Sequence, residues 1–288
     1  MPFSAFAVKN IDVSGMRFEA ILTRKGCDTL KFKRFFAFFL ASCLFLSLFQ
    51  LQALAGGRSW YCPKSVNGKQ PKTPTDLGEA LLHGAYYLDL RRGDGNGERV
   101  VYLTFDAGYE NGNVARVLDA LAEKRVPAAF FVLKHFVKAN GDLISRMGRE
   151  GHLICNHTAT HKNLSGATRE EIAGELEALA LAVEEAGENC SSYFRPPEGA
   201  YSLSMLDHVS SLGYRTVFWS VAYADWDNAR QMAPEKALSV LLSRIHNGAV
   251  ILLHPTSATN AEILPSLIDA LREQGYRFGT LDELCVAR

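Results

Sequence analysis

From Val100 onward the apolar residues change their spacing again and again. Short runs dense in β-formers alternate with longer stretches whose apolar positions recur every three or four residues. The short runs predict seven strands: 100-VVYLTF-105, 128-AAFFVL-133, 152-HLICNH-157, 193-YFRP-196, 216-TVFWSV-221, 249-AVILLH-254 and 276-YRFGTL-281. Between them, helices are predicted over 113–126, 141–151, 168–187, 202–213, 235–248 and 260–275. Five of these end at a glycine (Gly151, Gly187, Gly213, Gly248, Gly275), the residue that best adopts the left-handed C-cap. Thr168 followed by Glu171 forms a capping box. Strands alternating with helices predict a parallel sheet joined by crossover helices, and a doubly wound open sheet and a barrel both fit.

Upstream the rhythm fails. Residues 56–98 are polar and rich in Pro and Gly, with one helix-like stretch, 76-DLGEALLHGAYYL-88. They are read as a leader packed on the main domain, residues 99–288. Further upstream, Lys31, Lys33 and Arg34 precede the apolar run 35–51, and 53-ALA-55 follows. A basic start, an apolar middle and an A-x-A site are the layout of a signal peptide. The run is also near the length that spans a bilayer. Residues 31–55 are therefore read as a signal peptide or membrane anchor. Either way the domain is exported, secreted across the cytoplasmic membrane or held on its outer face. Residues 1–30 form an N-terminal extension with no assigned fold.

Composition narrows the partners. The chain has 288 residues, with 31 Lys+Arg against 31 Asp+Glu, so no basic surplus points to nucleic acid. Without residues 1–55 the balance is −4. Six cysteines (Cys27, Cys43, Cys62, Cys155, Cys190, Cys285) form no C-x-x-C pair, which argues against a zinc knuckle and for buried thiols. No G-x-G-x-x-G follows the first strand and no G-x-S-x-G occurs, so dinucleotide binding and a nucleophile elbow lack support.

Polar groups at the C-terminal ends of parallel strands share one crevice. Strand one ends in Asp106, a place where a base can serve and a core role is not needed. The third ends in 156-NHTATH-161, the fourth in 194-FRPPEG-199, the fifth runs into 222-AYADW-226, and the sixth ends in His254. Strand two ends blandly at Leu133 and Lys134. On a helical turn, His157 and His161 would share a face about 5–6 Å apart at Cβ, a spacing that can hold one metal ion. With no Ser or Cys nucleophile in the set, an activated water is the natural attacking group.

TFDAG, HTATH, RPPEG, ADW and LLH, in that order over residues 100–284, resemble the motifs of the polysaccharide deacetylase family, also known as the NodB homology domain or carbohydrate esterase family 4. The ENG extension after TFDAGY, the AYADW run and the leader resemble its sporulation branch. That branch de-N-acetylates peptidoglycan muramic acid on the way to the muramic δ-lactam of spore cortex.

The resemblance implies a distorted (β/α) barrel of about seven parallel strands, and a role for each motif residue. Asp106 is the general base and Arg195 keeps it ionised. His157 and His161 are metal ligands. The Glu198 N–H helps form an oxyanion hole. His254 is the general acid, and Asp225 orients it and raises its pKa. Trp226 and Trp219 wall the pocket. Ala107 stands where the family has the third metal ligand, a carboxylate, and Ala222 stands for the first Asp of D-x-x-D-W. A divalent ion, zinc or similar, is thus expected to be weakly held, with Asn111 a possible substitute ligand. The implied partners are peptidoglycan glycan strands, with no nucleic acid, and with membrane met only through the N-terminal segment. N-acetylglucosamine in peptidoglycan or chitin oligomers is the alternative substrate, and a non-catalytic wall-binding protein the alternative of another class.

Overall fold

The computed structural model describes residues 56–93 and 97–286. The export segment and the extension before it lie outside the described residues. Among those described, no helix is long and apolar enough to cross a membrane.

The strands are β1 (Arg58–Ser59), β2 (Ala85–Tyr86), β3 (Arg99–Ala107), β4 (Ala129–Val132), β5 (Leu153–Asn156), β6 (Cys190–Phe194), β7 (Ala200–Tyr201), β8 (Arg215–Val217), β9 (Ala249–Leu253) and β10 (Tyr276–Gly279). The helices are α1 (Thr75–Leu82), α2 (Asn113–Lys124), α3 (Lys134–Ala139), α4 (Gly141–Arg149), α5 (Arg169–Glu185), α6 (Leu203–Ser211), α7 (Pro234–Arg244), α8 (Ala258–Glu273) and α9 (Leu281–Leu284). Eight strands make one sheet in the order β10-β3-β4-β5-β6-β8-β2, with β9 on the other edge of β3. Every pairing within it is parallel. Beyond β8 the chain reaches β9, where Val221 bridges Ile251 in parallel. The sheet thus curls into a distorted (β/α) barrel rather than an open doubly wound sheet.

The alternation along β3 sorts the core. Val100 and Tyr102 join Phe131, Cys155, Val217 and Val250 in the inner cluster, closed by Leu281, Leu284 and Cys285. Val101, Leu103, Phe105 and Ala107 face outward with Val117 and Leu121 of α2 and Leu267 and Leu271 of α8. Side chains two apart share a face of a strand, so Thr104 and Asp106 continue the inner row toward the C-terminal rim.

Three local departures have physical causes. The fifth predicted strand stops at Val217, because Phe218 donates to the Tyr86 carbonyl (2.7 Å) while Ser220 and Val221 both donate to Val250 (3.0 and 3.1 Å). The chain there is passing from β2 to β9. The helix predicted over 235–248 ends at Arg244, and Gly248 (φ 76°) forms the turn into β9. A Cβ on Gly248 would lie 2.6 Å from the Asp89 carbonyl, so the close approach itself requires glycine. Within 56–98, the predicted helix ends early and Ala85–Tyr86 adds a parallel strand beside β8. The same region lays β1 antiparallel to β7 and stacks Trp60 on Phe218, with ring centroids 4.3 Å apart at 12°.

Candidate active site

A cavity of about 750 Å³ opens at the C-terminal ends of the strands. It collects Asp106 from β3, His157 and His161 after β5, Glu198 after β6, Trp226 after β8, and His254 after β9. Arg195 and Asp225 stand behind this lining. These eight residues singled out from the sequence therefore meet at one place, and Trp219 lines the same cavity.

Arg195 is fully buried and fully engaged. Its Nη1 donates to Asp106 Oδ1 (2.7 Å), Nη2 to Thr104 Oγ1 (2.9 Å), and Nε to the Val217 carbonyl (2.9 Å). The guanidinium lies 4.1 Å over the Phe131 ring. Burial alone would raise the Asp106 carboxyl. Arg195, His157 and His254 outweigh it and hold Asp106 below the ordinary carboxylate value. Asp106 is thus an anion throughout the neutral range.

The histidine pair is not on a helix. Thr158 (φ 73°) and His161 (φ 61°) are both left-handed, so residues 157–161 form a tight loop. Asn156 Oδ1 accepts from Thr158 N (3.0 Å), and Thr158 Oγ1 accepts from His161 N (2.9 Å). The short polar side chains thereby fix a turn that a helix cannot supply. The loop still brings the rings together, with centroids 5.1 Å apart at 75°. His157 Nδ1 lies 2.8 Å from the Arg195 carbonyl. A carbonyl only accepts, so Nδ1 carries the proton and Nε2 keeps its lone pair. Nε2 is 3.7 Å from Asp106 Oδ2. Burial pushes the His157 pKa down to about 4, leaving a neutral imidazole at neutral pH.

His254 and Asp225 form the second pair. His254 Nδ1 lies 2.7 Å from Asp225 Oδ1, and the His254 N–H donates to Oδ2 (2.8 Å). Asp225 is buried, and Asn260 Nδ2 donates to its Oδ2 (2.6 Å). Asn260 accepts in turn from the Tyr223 hydroxyl (2.6 Å). Burial would lower the His254 pKa, yet Asp225, with a contribution from Asp106, raises it above the ordinary imidazole value.

Glu198 sits on a left-handed turn (φ 59°) in the Pro197–Gly199 segment and faces solvent. Trp226 is 64% exposed at the rim. Trp219 also lines the cavity, and its carbonyl accepts from Trp60 Nε1 (2.9 Å). Trp60 N donates to the Gly199 carbonyl (2.8 Å), so the leader supports the loop that carries Glu198.

Ala107 ends β3, fully buried in the apolar layer between sheet and helices. A methyl group there needs no hydrogen bond, which is why the position tolerates it. Asn111 does not replace the missing carboxylate. Its Nδ2 donates to the Thr256 carbonyl (2.8 Å) and its Oδ1 accepts from Asn113 N (3.3 Å), and it does not line the cavity. Among the described residues no three His, Cys, Asp or Glu side chains are arranged as a metal site.

Sequence reading missed Thr104, Asn260 and Trp60. Thr104 carried a signal, since it lies two before Asp106 on the same face of β3. Asn260 and Trp60 reach the site only through the tertiary fold.

A carboxylate held as an anion, an imidazole whose pKa is raised, and a cavity lined by no Ser or Cys suit hydrolysis by an activated water. Comparison with known proteins gives the protein's class. Residues 93–217 match the model of the polysaccharide deacetylase family. The chain is 40% identical over 228 residues to the peptidoglycan-N-acetylmuramic acid deacetylase PdaA of Bacillus subtilis, covering 78% of this chain and 85% of that protein. The solved PdaA structure, described as a family 4 carbohydrate esterase, superimposes with a TM-score of 0.75 at 39% identity over 80% of this chain and 97% of that one. A family 4 carbohydrate esterase of Bacillus anthracis gives 0.65 at 35% identity, covering 80% and 96%. A chitooligosaccharide deacetylase of Rhizobium leguminosarum bv. trifolii is 32% identical over 66% of this chain and 93% of its own. The protein belongs to the polysaccharide deacetylase family, and is an N-deacetylase that hydrolyses amide C–N bonds.

Proposed function

We propose that this protein removes the N-acetyl group from N-acetylmuramic acid in peptidoglycan, at the outer face of the cytoplasmic membrane or beyond it, on the way to the muramic δ-lactam of spore cortex. The observation that carries this reading is the reach of the likeness to PdaA. It covers 78% of the chain, more than residues 99–288 alone can supply, so it takes in part of the leader that supports the Glu198 loop. The chitooligosaccharide deacetylase covers only 66%.

Asp106, anionic beside Arg195, takes the proton of a water as the water adds to the amide carbonyl. Arg195 is a positioning residue, held by Asp106 and Thr104 of β3, the Val217 carbonyl of β8 and the Phe131 ring of β4. The Glu198 N–H, presented by its left-handed turn, stabilises the developing oxyanion. His254, whose pKa Asp225 raises, delivers a proton to the departing amine. Acetate and the free amino sugar leave. Trp226 lies beside the sugar at the rim.

His157 and His161 are the residues that would hold a divalent ion. The fit rests on the His157 tautomer, which leaves Nε2 with a lone pair, and on the short distance to the second ring. Two imidazoles without a carboxylate make an open, weakly binding site. When bound, the ion polarises the carbonyl or the water. We infer zinc or a similar ion, readily lost.

Mass analysis of muropeptides after incubation with the purified protein tests the substrate. A loss of acetyl from muramic acid is expected. Loss from glucosamine, or from chitin oligomers, selects the alternative substrate, and no loss from any glycan leaves a wall-binding protein.

A further inference from the structure

A second cleft, of about 450 Å³, lies at the opposite end of the barrel, where β3, β4 and β10 begin. Four arginines line it (Arg99, Arg125, Arg272 and Arg277) together with Glu98. Their charges are not evenly balanced. Arg277 is satisfied by both Glu98 (2.5 and 2.9 Å) and Glu283 (2.7 Å). Glu98 is thereby used up. Arg99 instead donates Nη1 to the Gln274 carbonyl (2.8 Å) and lies 5.6 Å over the Tyr276 ring. Arg272 donates Nη2 to the Lys124 carbonyl (2.6 Å). Arg125 follows α2 in a left-handed conformation (φ 51°). Among the described residues, none of these three has a carboxylate partner within ion-pair distance.

Three uncompensated guanidiniums around one cleft are not a by-product of net charge, since the chain carries as many acids as bases. Like charges gathered in one place repel each other in the empty cleft, and an anion relieves that repulsion. Two of the three are anchored by backbone carbonyls, so their forks are set in advance and lose little freedom on binding. A carboxylate offers two oxygens to three forks. A phosphate monoester offers three terminal oxygens and a second negative charge, which matches the donors and the charge better.

We propose that this cleft binds a phosphate monoester, free or as the headgroup of an anionic lipid that ends in one. It lies at the opposite strand ends from Asp106 and His254, so the proposal does not depend on how the deacetylase substrate is assigned.

The test uses the purified full chain at low salt. Calorimetry with sn-glycerol 3-phosphate and flotation with phosphatidic acid or phosphatidylcholine vesicles are run on the parent, on Arg99→Gln/Arg125→Gln/Arg272→Gln, and on Arg149→Gln, an exposed arginine elsewhere. Saturable binding by the parent, at least tenfold weaker in the triple variant and unchanged in Arg149→Gln, is expected. Acetate release from a soluble oligomer should be the same in all three. Binding of phosphatidic acid vesicles alone assigns the phosphate to a lipid, and binding of free glycerol 3-phosphate assigns it to a soluble anion. Absence of binding to either, or a triple variant that binds like the parent, overturns the proposal.

Discussion

Asp106 sits in a bind between chemistry and burial. It is nearly buried, and it is the carboxylate that balances the fully buried Arg195. A strand end where only a base is needed suggests that Asp106→Asn would spare the fold, but the structure argues otherwise. Removing one partner of a buried pair leaves an uncompensated charge, at a cost of about 3 kcal/mol. Asp106→Asn should therefore lose turnover by about 10²–10⁴-fold and also unfold at lower denaturant. Parent-like rates with a parent-like midpoint would remove Asp106 from both roles. The second pair makes a prediction in pH. In the proposed mechanism His254 is the acid, so activity should fall as pH rises through its pKa. Asp225 holds that pKa above the ordinary value, so Asp225→Asn should move the alkaline limb of kcat/KM to lower pH. A limb that stays in place would mean that the carboxylate does not support the imidazolium. These residues were legible in the sequence because strand ends announce themselves: a β-rich run stops, and a polar residue follows. Asn260 was not, because an amide within a helix looks alike whether it serves a site or not.

At the scale of the element, alternation along β3 and the turn after β5 decide what the metal site can be. The two histidines were legible as a pair, but the helix assumed for them was not there. Asn156 and Thr158 side chains build the loop instead, and such local bonds leave no periodic trace. The neutral His157 offers Nε2 without competition from a proton, so chelation should abolish most acetate release and added zinc should restore it. His157→Ala should lose both the restored activity and the bound ion; full activity in chelated protein, checked by elemental analysis, would discard the metal. Ala107 provides a second handle. A carboxylate introduced by Ala107→Asp enters a fully buried apolar setting, where an unpaired charge is costly. The metal-free variant should therefore melt below the parent. Because residue 107 faces the outer layer, away from the row that carries Asp106, added zinc should raise the variant's melting temperature no more than the parent's. A larger rise in the variant would show that residue 107 reaches the ion.

The whole molecule was legible as a parallel α/β domain because seven β-rich runs alternate with six helical ones. Closure into a barrel was legible only through the family motifs, because it rests on isolated bridges, Val221 to Ile251 and Leu88 to Ala249, that leave no periodic trace. Nor does local sequence show that residues 56–98 hold the active-site rim in place. Trp60 does this through three contacts. Its ring stacks on Phe218, its Nε1 donates to the Trp219 carbonyl, and its N–H donates to Gly199. Gly199 (φ 66°) lies so close that a Cβ there would meet Trp60 Cβ at 2.9 Å and Trp219 at 3.0 Å. The loop that presents the Glu198 N–H thus rests on the leader. Trp60→Ala should cost about 3–5 kcal/mol of stability, the range for a large buried aromatic. It should also lower kcat more than it raises KM, because a loosened Glu198 turn weakens an interaction made in the transition state. Trp60→Phe keeps the stacking and loses only the Nε1 donor, so it should recover most of the stability and part of kcat. If Trp60→Ala is destabilised but keeps the parent's kcat below its melting range, the leader braces the barrel and has no part in presenting the oxyanion donor.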